Sequence, residues 1–405
     1  MLTRVSALSL LLLLGTASHH APRRAGSFEL AIPAGSYFPE SRIRIGATGI
    51  SGPYSLSVLG PGTIEGDTFI TAHVDRPTWT TLAGASRDAS AYGSVRTVPP
   101  PPLNAHIIAV ATYRSGIALH DERTFAALGN VSIAGAPADV AFLPDGSLVA
   151  ADTDGDTLTR ISRAPWSVRD VSGVPEGNEV VVDPSTGAIL VSNRDFRGQG
   201  ALTRVAPDGT VTHVVTGVTA EGIALDANRQ IAYVGNVNDN TIATVDLRTM
   251  SVLQKIPAVE RPFGLALDAR RRRLFVVANV SPSMNARGGY VAAIGLAAPL
   301  PRIVARSSAL RFPLGIAFDE RSGRLFVTDE AADLIYVLNS TTLRAAHAPL
   351  TTCATPWRPR VANGRLYVPC AREDRVDVFA LNTLRRVRGA PFPTGGYPLS
   401  VSVWP

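Results

Sequence analysis

The segment that decides the fold is GIALDANRQIAYVGNVNDNTIATVDLRTMSV, residues 222–252. Two apolar runs, residues 223–225 and 231–234, are separated by the polar turn DANRQ, and strand-like runs follow at 241–246 and 252–256. Consecutive apolar residues in a short run are typical of a strand that is packed on both faces. The segment therefore predicts four short strands, with Asn236 just after the second.

The same pattern recurs along the chain. Related segments occupy residues 136–155, 176–195, 261–280 and 312–331. Their spacing is measured between the last apolar residues of successive first strands, which are Phe142, Val182, Leu225, Leu267, Phe318 and Val361. The intervals are 40, 43, 42, 51 and 43 residues, and the long one coincides with the stretch SPSMNARGG at 281–289, which we interpret as a loop insertion. A period near 42 with four strands per repeat predicts an all-β protein of the β-propeller type.

The two ends of the repeat region predict the number of blades. The last residues, GYPLSVSVWP at 396–405, repeat only the first strand, and Val403 follows Val361 by 42 residues. Residues 106–135 supply three strands that lack a first one. We therefore expect seven blades, with the C-terminal strand innermost in the first blade, where it closes the ring and removes two open sheet edges.

Three stretches carry a family resemblance: YVGNVNDNTIATVDLRTMSV (233–252), FVTDEAADLIYVLNSTTL (326–343) and YVPCAREDRVDVFALNTL (367–384). They resemble the bacterial Tyr-Val-Thr-Asn-repeat propellers, a group related to the NHL and gluconolactonase-type propellers. The resemblance covers about residues 106–405 and implies a propeller fold at 105–405. It says little about activity, because one fold supports many functions.

The residues before the repeats predict three further segments. Residues 1–18 have the basic start, short apolar run and small residues of a signal peptide, so we expect a secreted, periplasmic or extracellular protein. Residues 27–97 alternate strands with glycine-rich turns, and GPGTIEGDTFITA (60–72) is similar to bacterial Ig-like domains, which implies a small Ig-like β-sandwich. VPPPPLN (98–104) is then a stiff linker. The alternative is an irregular extension packed on the propeller.

Charge and hydropathy exclude two classes of partner. The net charge is +6, but Lys255 is the only lysine and the arginines are scattered. The one dense run, residues 270–273, lies where a solvated turn between two strands is expected, so no nucleic-acid partner is predicted. No segment after the signal peptide is long and apolar enough to span a membrane. We expect a monomer.

Polar residues follow the second strand of most repeats. The aligned residues are Asp152, Asn193, Asn236, Asn279 and Asp329, with Cys370 and Thr112 at the remaining positions. Their first interpretation is structural, because Asn and Asp at a strand end bond to nearby backbone and stabilise a turn. The second is a ring of oxygen ligands at the mouth of the channel, where calcium or another divalent cation would bind.

One acid stands apart from the repeat. At the start of the first strand the aligned residues are Ala138, Asn178, Glu221, Phe263, Leu314 and Trp357, so Glu221 lies among mostly apolar residues. The gluconolactonase-type resemblance implies a metal held by Glu221 with Asn193, Asn236 and Asn279. An ordinary acid that binds nothing is the alternative. The two cysteines, Cys353 and Cys370, form either a disulfide or two free thiols, and export favours the disulfide.

These observations predict a function in outline. The common catalytic motifs are absent, and the histidines lie outside the repeated strand ends. We expect an exported, non-catalytic binding or scaffold module without a cofactor, whose partner is a protein or glycan of the cell envelope. The alternative is a metal-dependent lactonase with its site at the central channel.

Overall fold

The computed structural model describes residues 28–50, 52–285, 287–297 and 300–404. Within these residues the chain is all-β, with no α-helix and one short 3₁₀ turn at Ala371–Glu373. None of their helical segments has the length and apolarity needed to cross a membrane. The predicted signal peptide, residues 1–18, lies outside the described residues.

Nine strands precede the repeats. They are β1 (Glu29–Ala31), β2 (Ser36–Tyr37), β3 (Arg42–Arg44), β4 (Gly46–Thr48), β5 (Ser55–Leu59), β6 (Thr63–Glu65), β7 (Thr68–Ile70), β8 (Thr78–Ala85) and β9 (Ser90–Thr97). They form the N-terminal unit, in which the pair β1–β4, the sheet β3–β7–β6 and the strands β9–β8–β5 pack around one core. Phe69 and Leu82 are the fully buried centre of that core.

The repeats contain the remaining strands. The first fifteen are β10 (Ile107–Thr112), β11 (Gly116–Asp121), β12 (Ala127–Val131), β13 (Pro137–Phe142), β14 (Leu148–Asp152), β15 (Thr157–Arg163), β16 (Trp166–Ser172), β17 (Gly177–Val182), β18 (Ile189–Phe196), β19 (Gln199–Val205), β20 (Val211–Gly217), β21 (Ala220–Asp226), β22 (Ile231–Asn236), β23 (Thr241–Asp246) and β24 (Ser251–Pro257). The last thirteen are β25 (Pro262–Asp268), β26 (Arg273–Ala278), β27 (Tyr290–Gly295), β28 (Arg302–Arg306), β29 (Pro313–Asp319), β30 (Arg324–Asp329), β31 (Leu334–Asn339), β32 (Leu350–Thr351), β33 (Arg360–Ala362), β34 (Arg365–Cys370), β35 (Arg375–Ala380), β36 (Phe392–Pro393) and β37 (Pro398–Trp404).

Each repeat folds as an antiparallel meander. In the described residues six sheets have four consecutive strands each, starting at β13, β17, β21, β25, β29 and β33. The other repeat strands have the order β37-β10-β11-β12, so the C-terminal strand pairs with β10 in the position that the repeat predicts. This succession of four-stranded sheets is the arrangement of a β-propeller.

The first strands of successive sheets line the centre of the molecule. Strand β37 contacts β13, β13 contacts β17, and the series continues through β21, β25, β29 and β33, which returns to β37. Apolar side chains fill the space between neighbouring sheets, as Val149 and Val191 do between the β13 and β17 sheets. The core is therefore a series of intersheet layers around a central axis.

Residues 222–252 form the β21 sheet, with strands slightly longer than the sequence predicts. The first two extend to Ala220–Asp226 and Ile231–Asn236, so Asn236 is the last residue of its strand. Gln230, Asn240 and Met250, which precede β22, β23 and β24, have φ values of 54°, 56° and 49°. Left-handed residues at these positions reverse the chain within a few residues and keep the turns short.

The N-terminal unit is joined to the propeller by a continuous sheet. Strand β2 pairs in parallel with β12 and with β9, which gives one eight-stranded sheet of order β37-β10-β11-β12-β2-β9-β8-β5. Trp166 donates a hydrogen bond from Nε1 to Pro39 O at 2.9 Å, and its ring packs against Phe38. Residues 98–104 contain no strand, and Arg163 donates to the carbonyls of Pro102 and Leu103.

Candidate functional site

The polar residues at the end of the second strands are buried and bonded within the protein. Asp152 accepts from the N–H groups of Ala136 and Asp154, and Asp329 accepts from those of Arg311 and Phe312. Both carboxylates therefore hold the segment that leads into the first strand of their own sheet. Burial raises the pKa of Asp329, although its backbone N–H partners oppose the rise.

The three asparagines of this set are bonded in the same manner. Asn193 donates to Pro175 O, and Asn279 donates to Pro313 O in the next sheet. Asn236 accepts from Thr216 Oγ1 at 2.9 Å and donates to Thr216 O at 3.2 Å. All three amides are at most 4% exposed. These geometries support the structural interpretation of the set.

The two cysteines form a disulfide inside the β33 sheet region. Cys353 and Cys370 are both buried, and the bond closes a loop with a sequence separation of 17 residues. The Cys370 sulfur therefore occupies the strand-end position that Asn or Asp holds in other sheets. Asp377 is the third member of this cluster, but disulfide sulfurs are not available as thiolate ligands for a metal.

Glu221 lies in a cluster of hydrogen-bond donors. Arg194 Nε is 2.8 Å from Glu221 Oε1, Arg358 Nη2 is 3.8 Å from Oε2, and Asn178 Nδ2 donates to Oε2. The carboxylate is 5% exposed as a residue and joins two arginines from different sheets. Its charge is therefore neutralised by the protein itself.

The residues of the predicted metal set do not fit a divalent cation as they are arranged. The two guanidinium groups beside Glu221 would repel a cation. Within the described residues none of the amides of Asn193, Asn236 and Asn279 bonds to Glu221, because each donates to backbone of its own sheet (Asn193), the preceding sheet (Asn236) or the next sheet (Asn279). Within the described residues, the Glu221 carboxylate is therefore bonded to Arg194, Arg358 and Asn178 rather than to any of the three asparagines.

A cavity of about 330 Å³ lies on the axis, between the first strands of the sheets. Its polar wall contains Asp139, Glu179, Arg358, Arg360 and Ser400. Its apolar wall comes from the β21, β25 and β29 sheets and includes Ile223, Leu225, Leu265, Leu267, Ile316 and Phe318. The cavity therefore offers both charges and an apolar surface to one small ligand.

The carboxylates of the polar wall also link neighbouring sheets. Asp139 on β13 accepts from Val180 N on β17 at 2.9 Å, and Glu179 on β17 accepts from Ile223 N on β21 at 3.4 Å. Ser400 on β37 accepts from Val140 N at 3.1 Å. Each of these side chains satisfies a backbone donor of the next first strand, which gives the polar wall a structural role as well.

Glycine takes the equivalent position in three other sheets. A Cβ atom at Gly222 would collide with Phe263 O, and one at Gly264 would lie 2.6 Å from Leu314 O. Backbones on that side therefore approach directly, without a polar side chain between them. The result is a cavity whose charges are confined to the sheets of β13, β17 and β33.

The pKa of Glu179 is shifted by its surroundings in the cavity. Burial raises the pKa of Glu179 to about 7, and the positive charge of Arg358 opposes the rise while the negative charge of Asp139 adds to it. Arg360 and the Ile223 N–H also favour the charged form. Glu179 keeps some accessible surface, and because it lines the cavity that surface faces the cavity. A carboxyl group poised near neutral pH in a cavity marks a candidate functional site.

The two ends of the cavity differ in accessibility. At the start of the first strands, Phe263, Leu314 and Trp357 belong to a buried apolar cluster that closes this end. Arg358 extends across it and donates from Nη1 to Asn178 O at 2.9 Å. Farther along, Leu225, Leu267 and Phe318 are partly exposed and Arg360 is exposed. A ligand would therefore enter from the end where the first strands finish.

The cavity residues lie one position after the residues that the sequence alignment singled out. Asp139, Glu179 and Arg358 directly follow Ala138, Asn178 and Trp357. The signal that identifies them is an aligned position that holds a charged or polar residue in four repeats and glycine in the three consecutive repeats between them. It comprises Asp139, Glu179, Gly222, Gly264, Gly315, Arg358 and Ser400.

Comparisons with known proteins agree on the fold. A functionally unknown protein from Desulfotomaculum acetoxidans is 14% identical with a TM-score of 0.61, and the match covers 74% of this chain and 99% of that one. A "putative 6-phosphogluconolactonase" from Bacteroides uniformis is 14% identical with a TM-score of 0.60 over 74% of this chain and all of its own. A protein of the same description from Bacteroides fragilis is 12% identical with a TM-score of 0.59, over 76% of this chain and 100% of its own.

Sequence comparisons add no closer relative. No protein-family model matches the chain, and no curated protein matches its sequence. At 12% and 14% identity, the structural likeness shows the fold alone, which is that of an all-β propeller.

Proposed function

We propose that the repeats form a closed ring of seven blades and that residues 27–97 are an Ig-like β-sandwich. The ring is supported by the contacts between successive first strands, which lead from β37 through six sheets and back to β37. The Ig-like assignment is supported by the packing of the three groups of strands, β1–β4, β3–β7–β6 and β9–β8–β5, around one core. An experimental structure would test both statements, and an open ring would contradict the first.

We further propose that the protein acts outside the cytoplasm, with an envelope protein or glycan as the partner of its outer surface. The disulfide between Cys353 and Cys370 supports export, because such bonds persist in oxidising compartments. Fractionation of cells, with N-terminal sequencing of the product, tests this. Recovery in the cytoplasm with residues 1–18 intact would contradict it.

The function that the geometry supports best is the binding of a small organic molecule in the central cavity. The observation that carries it is the axial cavity itself, with carboxylates and guanidinium groups on one wall and apolar side chains on the other. Small-molecule sites are typically concave and apolar, with a few polar groups that orient the ligand. We propose that the protein is a binding module and that its ligand enters where Arg360 is exposed.

A second function, hydrolysis of a lactone, is favoured by Glu179. A carboxyl with a pKa of about 7 is suited to act as a general base. It would take a proton from a water molecule as the water oxygen bonds to the lactone carbonyl carbon. The ring C–O bond would then break, and the proton on Glu179 would pass to the departing ring oxygen, which gives the hydroxy acid and restores the carboxylate. This version needs no metal, in contrast to the set built on Glu221.

A panel of small molecules tests the binding function. We would measure the thermal stability of the full protein with neutral sugars, sugar lactones, amino acids and organic acids. At least one class should raise the melting temperature, and the rise should be lost in Arg360→Gln. The matched control is Arg302→Gln, which changes an exposed arginine on the outer strand β28.

Two outcomes would contradict the binding function: no compound stabilises the protein, or Arg360→Gln responds like the wild type. Acid release from glucono-δ-lactone, followed at constant pH, tests the second function. Hydrolysis that persists in Glu179→Gln would exclude Glu179 as the base. Metal analysis of the purified protein tests the calcium alternative, which a stoichiometric divalent ion would restore.

A further inference from the structure

We propose that the central cavity binds a small 2-substituted organic acid: a carboxylate with a hydroxyl or amino group on the adjacent carbon and an apolar side chain. Such a molecule is a 2-hydroxy acid or a 2-amino acid. The inference rests on the proposed binding function and names the ligand class of that same cavity. It is derived from how the charges of the cavity are placed.

Opposite charges share the cavity without neutralising each other. Asp139 and Glu179 belong to β13 and β17, whereas Arg358 and Arg360 belong to the segment that enters β33. Although both arginines affect the pKa of Glu179 through their charge, no ion pair within 4.0 Å joins them to either carboxylate. A ligand with an anionic group and a hydrogen-bond donor can bridge this separation.

The spare bonding capacity of these side chains gives the orientation of the ligand. Among the residues that the structure describes, the Arg360 side chain donates only from Nε, to Val401 O at 3.4 Å, so its two terminal nitrogens are left for a carboxylate. Glu179 accepts one long bond, through Oε2, so Oε1 is left for a hydroxyl or ammonium group. Asp139 accepts from Val140 N and Val180 N, so its oxygens are already used. Arg358 donates from Nη1 to Asn178 O, and its Nη2, which makes no hydrogen bond within the described residues, lies 3.8 Å from the Glu221 carboxylate and is held there by charge. The ligand carboxylate would therefore bind Arg360, and its neighbouring donor would bind Glu179.

The apolar wall accounts for the third part of the ligand. Ile223, Leu265 and Ile316 come from three successive sheets. In these sheets the position equivalent to Asp139 and Glu179 is a glycine. Beyond them, Leu225, Leu267 and Phe318 extend the same surface toward the open end. A volume of about 330 Å³ is at the small end for ligand pockets, which limits the ligand to on the order of ten non-hydrogen atoms.

The same groups discriminate against other ligand classes. A divalent cation would be repelled by the two guanidinium groups, and a phosphate dianion would face the carboxylates of Asp139 and Glu179. A neutral sugar would leave the charge of Arg360 without a counterion and would cover the apolar wall with hydroxyl groups. A carboxylate with one adjacent donor and an aliphatic chain matches Arg360, Glu179 and the apolar wall together.

Isothermal titration of the full protein with four probes tests the inference. The probes share a 4-methylpentyl skeleton and are 2-hydroxy-4-methylpentanoate, leucine, 4-methylpentanoate and leucinol. Of these, 4-methylpentanoate lacks the adjacent donor and leucinol lacks the carboxylate. We expect the hydroxy acid or leucine to bind at least tenfold more tightly than both 4-methylpentanoate and leucinol. Which of the two binds more tightly identifies the donor as a hydroxyl or an ammonium group.

Two variants assign the contacts. Arg360→Gln should weaken the preferred acid at least tenfold and should leave leucinol unchanged. Glu179→Gln should reduce the preference for the preferred acid over 4-methylpentanoate. Arg302→Gln, on the outer strand, should match the wild type in every titration. Arg360 is exposed and makes a single hydrogen bond, so its variant should retain the fold even if Glu179→Gln does not.

The inference is overturned if neither the hydroxy acid nor leucine binds, or if 4-methylpentanoate binds equally well. It is also overturned if Arg360→Gln binds the preferred acid as the wild type does. A neutral sugar that binds and is lost in Arg360→Gln would leave the proposed binding function standing and reject this ligand class. Failure of all compounds in the wider panel would reject both.

Discussion

Glu179 and Glu221 show how surroundings decide what an acid can do. Glu221 has the ion pair with Arg194 at 2.8 Å and a further guanidinium at 3.8 Å. Glu179 lies in the axial cavity with one long hydrogen bond and no ion pair. The two residues lie near the starts of neighbouring first strands. Glu179 combines a raised pKa with space beside its carboxyl, so it is the residue on which function is tested.

Stability should depend on pH through Glu179. Its carboxyl keeps a proton in the folded state up to about pH 7, whereas the unfolded chain releases it near the ordinary value of 4.5. Stability therefore falls as pH rises from 4.5 to 7, because the folded state binds more protons in that window. Glu179→Gln cannot ionise, so its free energy of unfolding relative to wild type should be about 3 kcal/mol higher at pH 8 than at pH 4.5.

Urea unfolding at both pH values measures this difference. The control is Glu320→Gln, which changes an exposed glutamate outside the cavity and should show no such pH dependence. If Glu179→Gln and wild type differ in free energy of unfolding by the same amount at both pH values, the pKa of Glu179 is not raised in the folded state.

Asn236 should contribute to stability through its amide. Asn236→Ala leaves Thr216 O without its side-chain donor and Thr216 Oγ1 without its acceptor in a buried environment. We expect a loss of about 2 kcal/mol in the free energy of unfolding, measured with urea. Asn238→Ala is the matched control. Within the described residues the exposed Asn238 side chain bonds only to Thr219 Oγ1, so its loss should cost less than about 0.5 kcal/mol. Equal losses would contradict the structural role of Asn236.

At the scale of strands, the repeat spacing predicts the order of the strands but does not identify the residues that line the cavity. Residues 222–252 form the four strands that the apolar runs predict, because those runs are buried between sheets. The acid in the cavity was missed because adjacent strand residues face different sides, so the alignment followed Asn178 rather than Glu179. Intervals between apolar residues give the register along a strand, whereas the direction of a side chain toward the axis depends on how sheets pack.

The C-terminal strand should be necessary for a cooperative fold. Strand β37 covers the edge of β10 and contributes the buried Val401 to the layer between the first and last repeat sheets. A chain that ends at Tyr397 would expose that edge and layer, so it should aggregate or lose its cooperative thermal transition. Calorimetry measures the transition, and a synthetic peptide of residues 396–405 added to the shortened chain should restore it. A normal transition without the peptide would contradict the closing role of β37.

On the scale of the whole molecule, the N-terminal unit and the propeller share hydrogen-bonded strands. A linker at 98–104 would suggest independent motion, but β2 pairs with β12 and Glu40 accepts from Val168 N at 2.7 Å. This junction could not be predicted from local sequence, because Ser36–Tyr37 is a two-residue strand whose pairing partners lie about 60 and 93 residues away. Long-range pairing of short strands leaves no periodic signal.

Trp166 should hold this junction together. Trp166→Ala removes the hydrogen bond to Pro39 O and the ring contact with Phe38, which should weaken the junction by about 3 kcal/mol. Limited proteolysis should then cleave within residues 28–97 while the propeller stays intact. Trp79→Ala is the control, because Trp79 is 63% exposed on the same unit and should leave the cleavage rate unchanged. Equal cleavage rates of Trp166→Ala and wild type would contradict this role of Trp166 and would show that the paired strands alone stabilise the junction.

The terminal strand has a consequence that joins shape to ligand. Strand β37 carries Ser400 into the cavity wall and also covers the edge of β10. Detaching this strand would open the cavity. A molecule that binds only the intact cavity would therefore stabilise the pairing of β37 with β10. By mass action, ligand at one hundred times its dissociation constant would make that detachment about 2.7 kcal/mol harder. Amide hydrogens in the hydrogen bonds between β10 and β37 would then exchange with solvent about a hundredfold more slowly. Their exchange rate would report whether the cavity is occupied.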